Sequence, residues 1–215
     1  ESRLRLYLPS EKASLLEPLG IEQLVLVPFD LSLASLSAKE FFNQVLVETL
    51  QAKHIAVGAN FRFGKSRSGD TSTLIDLGES SGIKITVVEL IEDKKGRMSS
   101  SRIREALKKG DIKTTNYLLN RDYTFSGCVV PGRGLGKKLG WPTANLRIDN
   151  RKLIPGPGVY AVLAKSQNMS FSPAIMNLGS QPTIDPSAPS ATEVHILNKD
   201  INLQDKELVI KPIER

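Results

Sequence analysis

Between residues 11 and 120 the apolar positions alternate between two periods. "EKASLLEPLG" reads as a short helix, "QLVLVPF" as an apolar buried strand, and "AKEFFNQVLVETLQA" as an amphipathic helix, because its apolar residues recur every three to four positions. "HIAVGANF" follows as a strand, "TLIDLGESSG" as a helix ending at Gly82, and "IKITVVEL" as a further strand. "SSSRIREALKKG" and "DIKTTNYLL" read as two helices. Strands separated by helices imply a parallel sheet with covered faces, since each parallel connection needs a long crossover. Residues 1–120 are therefore expected to form an α/β domain.

After residue 121 the period shortens. "YTFSGCVV", "GVYAVLAK", "FSPAIMNLG", "TEVHILN" and "ELVIKPI" are short β-type runs broken by Gly, Pro, Ser and Asn, the pattern of an antiparallel barrel or sandwich over residues 121–215. The boundary falls near "LNRDYT" with no flexible linker. No internal repeat interrupts either half.

Composition narrows the class. With 40% hydrophobic residues the 215-residue chain can build buried cores, so disorder is excluded. Its 29 basic and 23 acidic residues give a net charge of +6, spread along the chain, which favours anionic ligands without choosing among them. One cysteine, Cys128, allows no intramolecular disulfide and no thiolate metal cluster, and is expected in the core. No apolar run approaches the roughly 20 residues of a membrane span, and "ESRLRLYLPSEK" lacks the plan of a signal peptide. A cytoplasmic protein without membrane contact is the expectation. The chain begins at Glu1 rather than methionine, which leaves upstream sequence open.

Four stretches carry candidate chemistry. In "GRMSSSRIREAL", three serines precede a helix; one suffices as a cap, while Ser100, Ser101 and Arg104 could together hold phosphate oxygens. In "VGANFRFGKSRSGD", which follows a strand, Asn60 offers donor and acceptor; Phe61 and Phe63 could stack on a ring or be core residues. In "GRGLGKKLGWPTANL", Gly132, Gly134, Gly136 and Gly140 permit close backbone approach to an anion, and Arg133, Lys137 and Lys138 supply charge. Pro142 stiffens the frame that presents Thr143 and Asn145, although a generic basic hairpin would look the same. In "MNLGSQPTIDPSAPSATEVHIL", Asn177, Thr183 and Glu193 stand out. Strand alternation puts Glu193 and His195 on one face and Val194 and Ile196 on the other, so Glu193 is either a general base or a solvated residue. The only other histidine, His54, belongs to the other half, and no metal pair is expected.

In this order, the four stretches resemble the bacterial bifunctional riboflavin kinase/FMN adenylyltransferases, or FAD synthetases. "GANFRFGKSRSGD" and "MSSSRIREAL" are similar to the adenylyltransferase half; "GLGKKLGWPTANL", "PGVYAV", "MNLGSQPTI" and "TEVHIL" are similar to the kinase half. The resemblance implies a Rossmann-like nucleotidyltransferase domain followed by a small antiparallel Greek-key barrel. It implies riboflavin, FMN and ATP as small-molecule substrates, Mg2+ as cofactor, and no nucleic-acid partner. Carried over, Glu193 would be the catalytic base. Thr143 would bind the metal, and with Asn145, Gly134, Gly136 and Lys138 the ATP phosphates; Ser100, Ser101 and Arg104 would face ATP in the other half, while Asn60 and Asn177 would lie near flavin.

Three departures accompany the resemblance. "SSTRIR" of the family is "SSSRIR" here, which keeps a hydroxyl at Ser101, and Asn120 stands where the family usually has glycine. An early HxGH motif of the family is not in this sequence, nor is helical sequence after the last strand. On that reading the chain enters the family downstream of the motif and would transfer adenylate poorly by itself. The alternatives are a basic barrel that binds nucleic acid and an inactive truncated scaffold.

Overall fold

Helices begin where a side-chain oxygen can accept a first-turn amide. In the computed structural model, which describes residues 4–132, 143–167, 169–179, 192–199 and 201–215, α1 (Pro9–Leu16) is followed by α2 (Leu31–Ser35) and by α3 (Ala38–Glu40), which continues as a π-type helix over Phe41–Thr49. Strand β1 (His54–Gly58), α4 (Thr71–Ser80), β2 (Lys84–Val88) and a short hairpin, β3 (Glu92–Asp93) with β4 (Gly96–Arg97), come next. Then come α5 (Ser100–Lys109) and α6 (Ile112–Leu119). Asp30, Ser37, Asp70, Ser99 and Asp111 cap α2 to α6 in turn. The barrel strands are β5 (Phe125–Val130), β6 (Ala144–Arg147), β7 (Gly158–Ser166), β8 (Ser172–Leu178), β9 (Thr192–Ile196) and β10 (Glu207–Glu214). Among the described residues no helix is long and apolar enough to cross a membrane.

The chain divides into two compact units, residues 23–98 and residues 1–22 with 99–215. In the first, β1 and β2 pair in parallel, His54 opposite Lys84 through Gly58 opposite Val88, with α4 in the crossover. Phe42, Phe63, Leu74 and Ile83 form the core, packed by Ile55, Val57, Leu77 and Ile85. The strand expected at "QLVLVPF" does not form: residues 23–29 join no ladder, and Val25, Leu26 and Phe29 are 55%, 61% and 82% exposed. Apolar content alone makes no strand, because a strand is stabilised by a paired neighbour.

In the second unit every barrel pairing is antiparallel, in the closed order β10-β5-β6-β9-β8-β7. Non-sequential neighbours, β6 beside β9 and β5 beside β10, give the Greek-key character. β10 closes the ring by pairing β5 through Glu207–Ile210 and β7 through Leu208–Glu214. Pro212 lies past the β5-paired part of the strand, where its missing N–H leaves no ladder bond unmade on that side. The interior is filled by Phe125, Leu146, Tyr160, Met176, Val194, Leu208 and Ile210, each at most 2% exposed. Cys128, expected in the core, is instead half-buried on the face of β5 opposite Phe125 and Val129. Strand alternation, not residue type, decides that.

α5 ends at Gly110 and α6 at Asn120, both left-handed, with φ of 73° and 52°. Asparagine at 120 does the work of the glycine that the resemblance predicts, since it tolerates this conformation better than other side chains.

The segment before α1 is held to the barrel unit by a buried ammonium. Lys152, 1% exposed, donates to the Leu6 carbonyl at 2.7 Å, the Glu11 carboxylate at 2.8 Å and the Thr124 carbonyl at 3.2 Å. It also sits 4.8 Å and 4.7 Å from the ring centroids of Tyr7 and Tyr123. Burial pushes the Lys152 pKa down and the Glu11 carboxylate opposes that shift; burial pushes both tyrosine hydroxyls up. The aromatic faces contribute about 0.5–2 kcal/mol each, too little against a desolvation cost of several kcal/mol, so the carboxylate and the two carbonyls carry the balance. In the tyrosine pair, the Tyr123 hydroxyl donates to the carbonyls of Leu6 and Leu153.

Two stability outcomes are expected. Lys152→Ala should destabilise the barrel unit by about 3–5 kcal/mol, because it leaves the half-buried Glu11 carboxylate without its cation; urea unfolding followed by tyrosine fluorescence measures this. Asp70 accepts the Thr73 amide and hydroxyl, each at 2.9 Å, and pairs with Arg62 at 2.6 Å. The Thr73 amide and Arg62 hold its carboxyl at about 2, below the ordinary 3.8. A depressed carboxylate stabilises above the unfolded value and loses this contribution as pH falls through the folded one. Asp70→Ala should therefore lower the stability of the 23–98 unit at neutrality, and its gap to the parent should narrow as pH falls from 3.8 towards 2.

Candidate functional site

β6, β9 and β8 are consecutive around the barrel, and their register puts three of the expected residues in one row. Asn145 is directly opposite Glu193, and Glu193 is directly opposite Asn177. Directly opposed residues of antiparallel strands project to the same face, with Cβ atoms about 4.5–5.5 Å apart. That face is the outer one, because their neighbours Leu146, Val194, Met176 and Leu178 fill the interior. Glu193 and Asn177 are exposed, whereas Asn145 is 9% exposed. Val130 on β5 and Val159 on β7 end the row, opposite Asn145 and Asn177 respectively. Beside it runs a second row, Ala161, Ile175 and His195. His195 shares the Glu193 face, as alternation predicts, and is half-buried.

Thr143 immediately precedes β6 and is half-buried. It lines a cleft of about 260 Å³ together with Gly132, Ala144, Val194, Lys199 and Asn202. Glu193 and Asn177 do not line this cleft. The two features meet at β6, where Ala144 faces the cleft and the next residue, Asn145, stands in the row. Thr143 and the row offer one hydroxyl, two carboxamides and one carboxylate, and the cleft adds the Lys199 ammonium and the Asn202 carboxamide. Among the described residues no group of three or more His, Cys, Asp or Glu side chains could cage a metal. Magnesium suits such a place when it arrives on a nucleotide, held by one or two protein oxygens, phosphates and water.

The other expected residues fall elsewhere. Ser99, not Ser100 or Ser101, caps α5, accepting the Arg102 amide at 3.4 Å. Ser100 and Ser101 occupy the first turn, and Arg104 donates to the Leu4 carbonyl. All four belong to the barrel's compact unit. Asn60 lies in the 23–98 unit, exposed in the turn after β1 where the Phe61 amide donates to Gly58 at 2.9 Å. Phe61 and Phe63 stack on each other with centroids 5.5 Å apart, and Phe63 is a core residue. Gly134, Gly136 and Lys138, with Arg133, Lys137, Gly140, Pro142 and Thr183, lie outside the described residues.

Sequence reasoning missed Lys199, Asn202 and the apolar flank of Val159 and Ile175, 59% and 46% exposed. It also missed β6 as a strand. Four residues directly after Trp-Pro-Thr carry too little alternation to announce one.

Residues 1–102 match the family model for FAD synthetase and residues 119–215 the model for riboflavin kinase. The bifunctional riboflavin kinase/FMN adenylyltransferase of Pseudomonas fluorescens is 34% identical over 191 residues, 89% of this chain and 61% of that protein. Its namesakes in Escherichia coli strain K12 and Bacillus subtilis strain 168 are each 34% identical and cover 93% and 94% of this chain, and 63% of each relative is covered. A solved structure described as a macrolide-efflux protein from Streptococcus pneumoniae aligns with a TM-score of 0.88 at 30% identity, over 99% of this chain and 67% of that one. The chain thus spans somewhat over three-fifths of the length of these bifunctional relatives. A stretch that matches the FAD synthetase model precedes a barrel that matches the riboflavin kinase model and whose polar row holds Asn145, Glu193 and Asn177, and the chain belongs to the family of bifunctional riboflavin kinases/FMN adenylyltransferases.

Proposed function

We propose that the barrel phosphorylates riboflavin to FMN with ATP, and that the α/β half, in the whole protein, adenylylates FMN to FAD. The division of labour falls at residue 120, with residues 1–120 serving the second reaction and 121–215 the first. The observation that carries the reading is the register that aligns Asn145, Glu193 and Asn177 on one outer face of the barrel. Both family matches support it, and they leave the alternative of a nucleic-acid-binding barrel without support.

Phosphoryl transfer is governed by positioning and by stabilising charge, so few groups need to do chemistry. Glu193 takes the proton of the terminal ribityl hydroxyl as that oxygen bonds to the γ-phosphorus; the bond from γ-phosphorus to the bridging oxygen breaks and ADP leaves. Asn177, next to Glu193 in the row, orients the ribityl chain, and exposed Val159 and Ile175 beside it offer apolar area to the flavin ring. Thr143 and Asn145 hold the phosphates of magnesium-ATP, with Gly134, Gly136 and Lys138 assigned to the same task from their sequence. Thr143 and Asn145 fit the ion because their hydroxyl and carboxamide oxygens are hard donors. Ser100, Ser101 and Arg104 serve the nucleotide of the second reaction, and Asn60 its flavin. The single cysteine is in keeping with work in the cytoplasm.

Glu193→Gln should lower FMN formation by about 10²–10⁴-fold, the usual contribution of a general base, while riboflavin and ADP affinities stay near those of the parent. Chromatographic separation of flavins after incubation with riboflavin, ATP and magnesium reads the first quantity, and calorimetry the second. Turnover unchanged by the substitution would remove Glu193 from this role.

A further inference from the structure

Gly132 approaches one side chain of the row so closely that any larger residue there would have to displace it. A methyl group built on its Cα would overlap Nδ2 of Asn145, and would stand 2.5 Å from its Cγ and 3.1 Å from its Oδ1. Those three nearest neighbours all belong to the carboxamide, none to backbone. The backbone of Gly132 is outside the left-handed region, so alanine would suffer no conformational strain there. The obstacle to a larger residue is steric, and its three nearest contacts fall on the end of Asn145.

This contact lies where the cleft and the row meet. Gly132 lines the cleft with Thr143, and Asn145 is opposite Glu193. A carboxamide has a donor end and an acceptor end, and the nitrogen is the end nearer Gly132. Asparagine has few ways to turn inside a site where it is 9% exposed. Resting on the kinase reading above, we infer that Gly132 is a positioning residue: the bare Cα sets the orientation in which Asn145 presents its carboxamide oxygen to magnesium-ATP. Gly132 touches neither substrate in this role and acts through Asn145 alone.

The test is a double-mutant cycle of Gly132→Ala and Asn145→Ala, read as kcat/KM for ATP, as calorimetric affinity for magnesium-ADP, and as melting temperature. Gly132→Ala should lower kcat/KM for ATP by about 10- to 100-fold, the scale of a displacement near 1 Å in a phosphoryl-transfer site, and weaken magnesium-ADP binding. The KM for riboflavin should not move. The double variant should match Asn145→Ala by itself, since the first substitution has nothing left to act through. If the two losses multiply, or if Gly132→Ala is silent while Asn145→Ala is impaired, the inference is overturned and the kinase site stands. A silent Asn145→Ala would overturn both the inference and Asn145's place in the site. Should Gly132→Ala lower the melting temperature, the double variant must restore it, because the overlap is gone; a double that still melts early would assign Gly132 to the fold instead.

Discussion

Closure of the barrel by β10 is the constraint on which the rest of the described barrel depends. An open five-stranded sheet would leave β5 and β7 as edges with unpaired amides and carbonyls. β10 pairs both and buries Leu208 and Ile210 completely, each such burial stabilising by about 1.5–3 kcal/mol. A closed ring of strands permits no slip, because moving any strand by one residue would turn its interior side chains out. The register of β6, β9 and β8 is therefore held by strands that carry none of Asn145, Glu193 and Asn177. Asn145, Glu193 and Asn177 stay in line because the ring around them is sealed.

The Lys152 cluster imposes a second constraint, of a different kind. Apolar burial tolerates many arrangements, whereas an ammonium taken out of water needs its acceptors in particular places. Lys152 finds them on two separated stretches of chain, at Leu6 and Glu11 and at Thr124. The segment before α1 is thereby tied to the barrel unit although it lies more than 100 residues away in sequence. At the other end of the unit, Arg215 donates to the carbonyls of Lys109 and Pro157, and Lys113 pairs with Glu214. Helices α5 and α6 thus compact with the barrel rather than with the parallel strands. Helical periodicity reports which face of a helix is apolar, and is silent on which partner covers it.

Much of the fold was legible because its signals are local. Caps, strand alternation and glycine punctuation located α4, α5, α6 and five of the six barrel strands. Residues 23–29 look like a buried strand in isolation and form none here, since pairing is a property of neighbours. Glu193 and Asn177 could be singled out as polar residues in otherwise apolar runs. Their alignment could not, because it depends on β6 and β8 both flanking β9, a matter of long-range pairing.

By itself the sequence determined five of the six barrel strands, the alternation that puts Glu193 and His195 on one face of β9, the family, and the residue types available for the chemistry. These follow from periodicity and from motifs a few residues long. Only the tertiary structure decided that a sandwich-or-barrel pattern closes into a ring, that Lys152 is buried among carbonyls, and that Gly132 rests on Asn145. Each of those joins residues distant in the chain through contacts of a few ångströms, and a contact between distant residues exists only once the chain between them has folded.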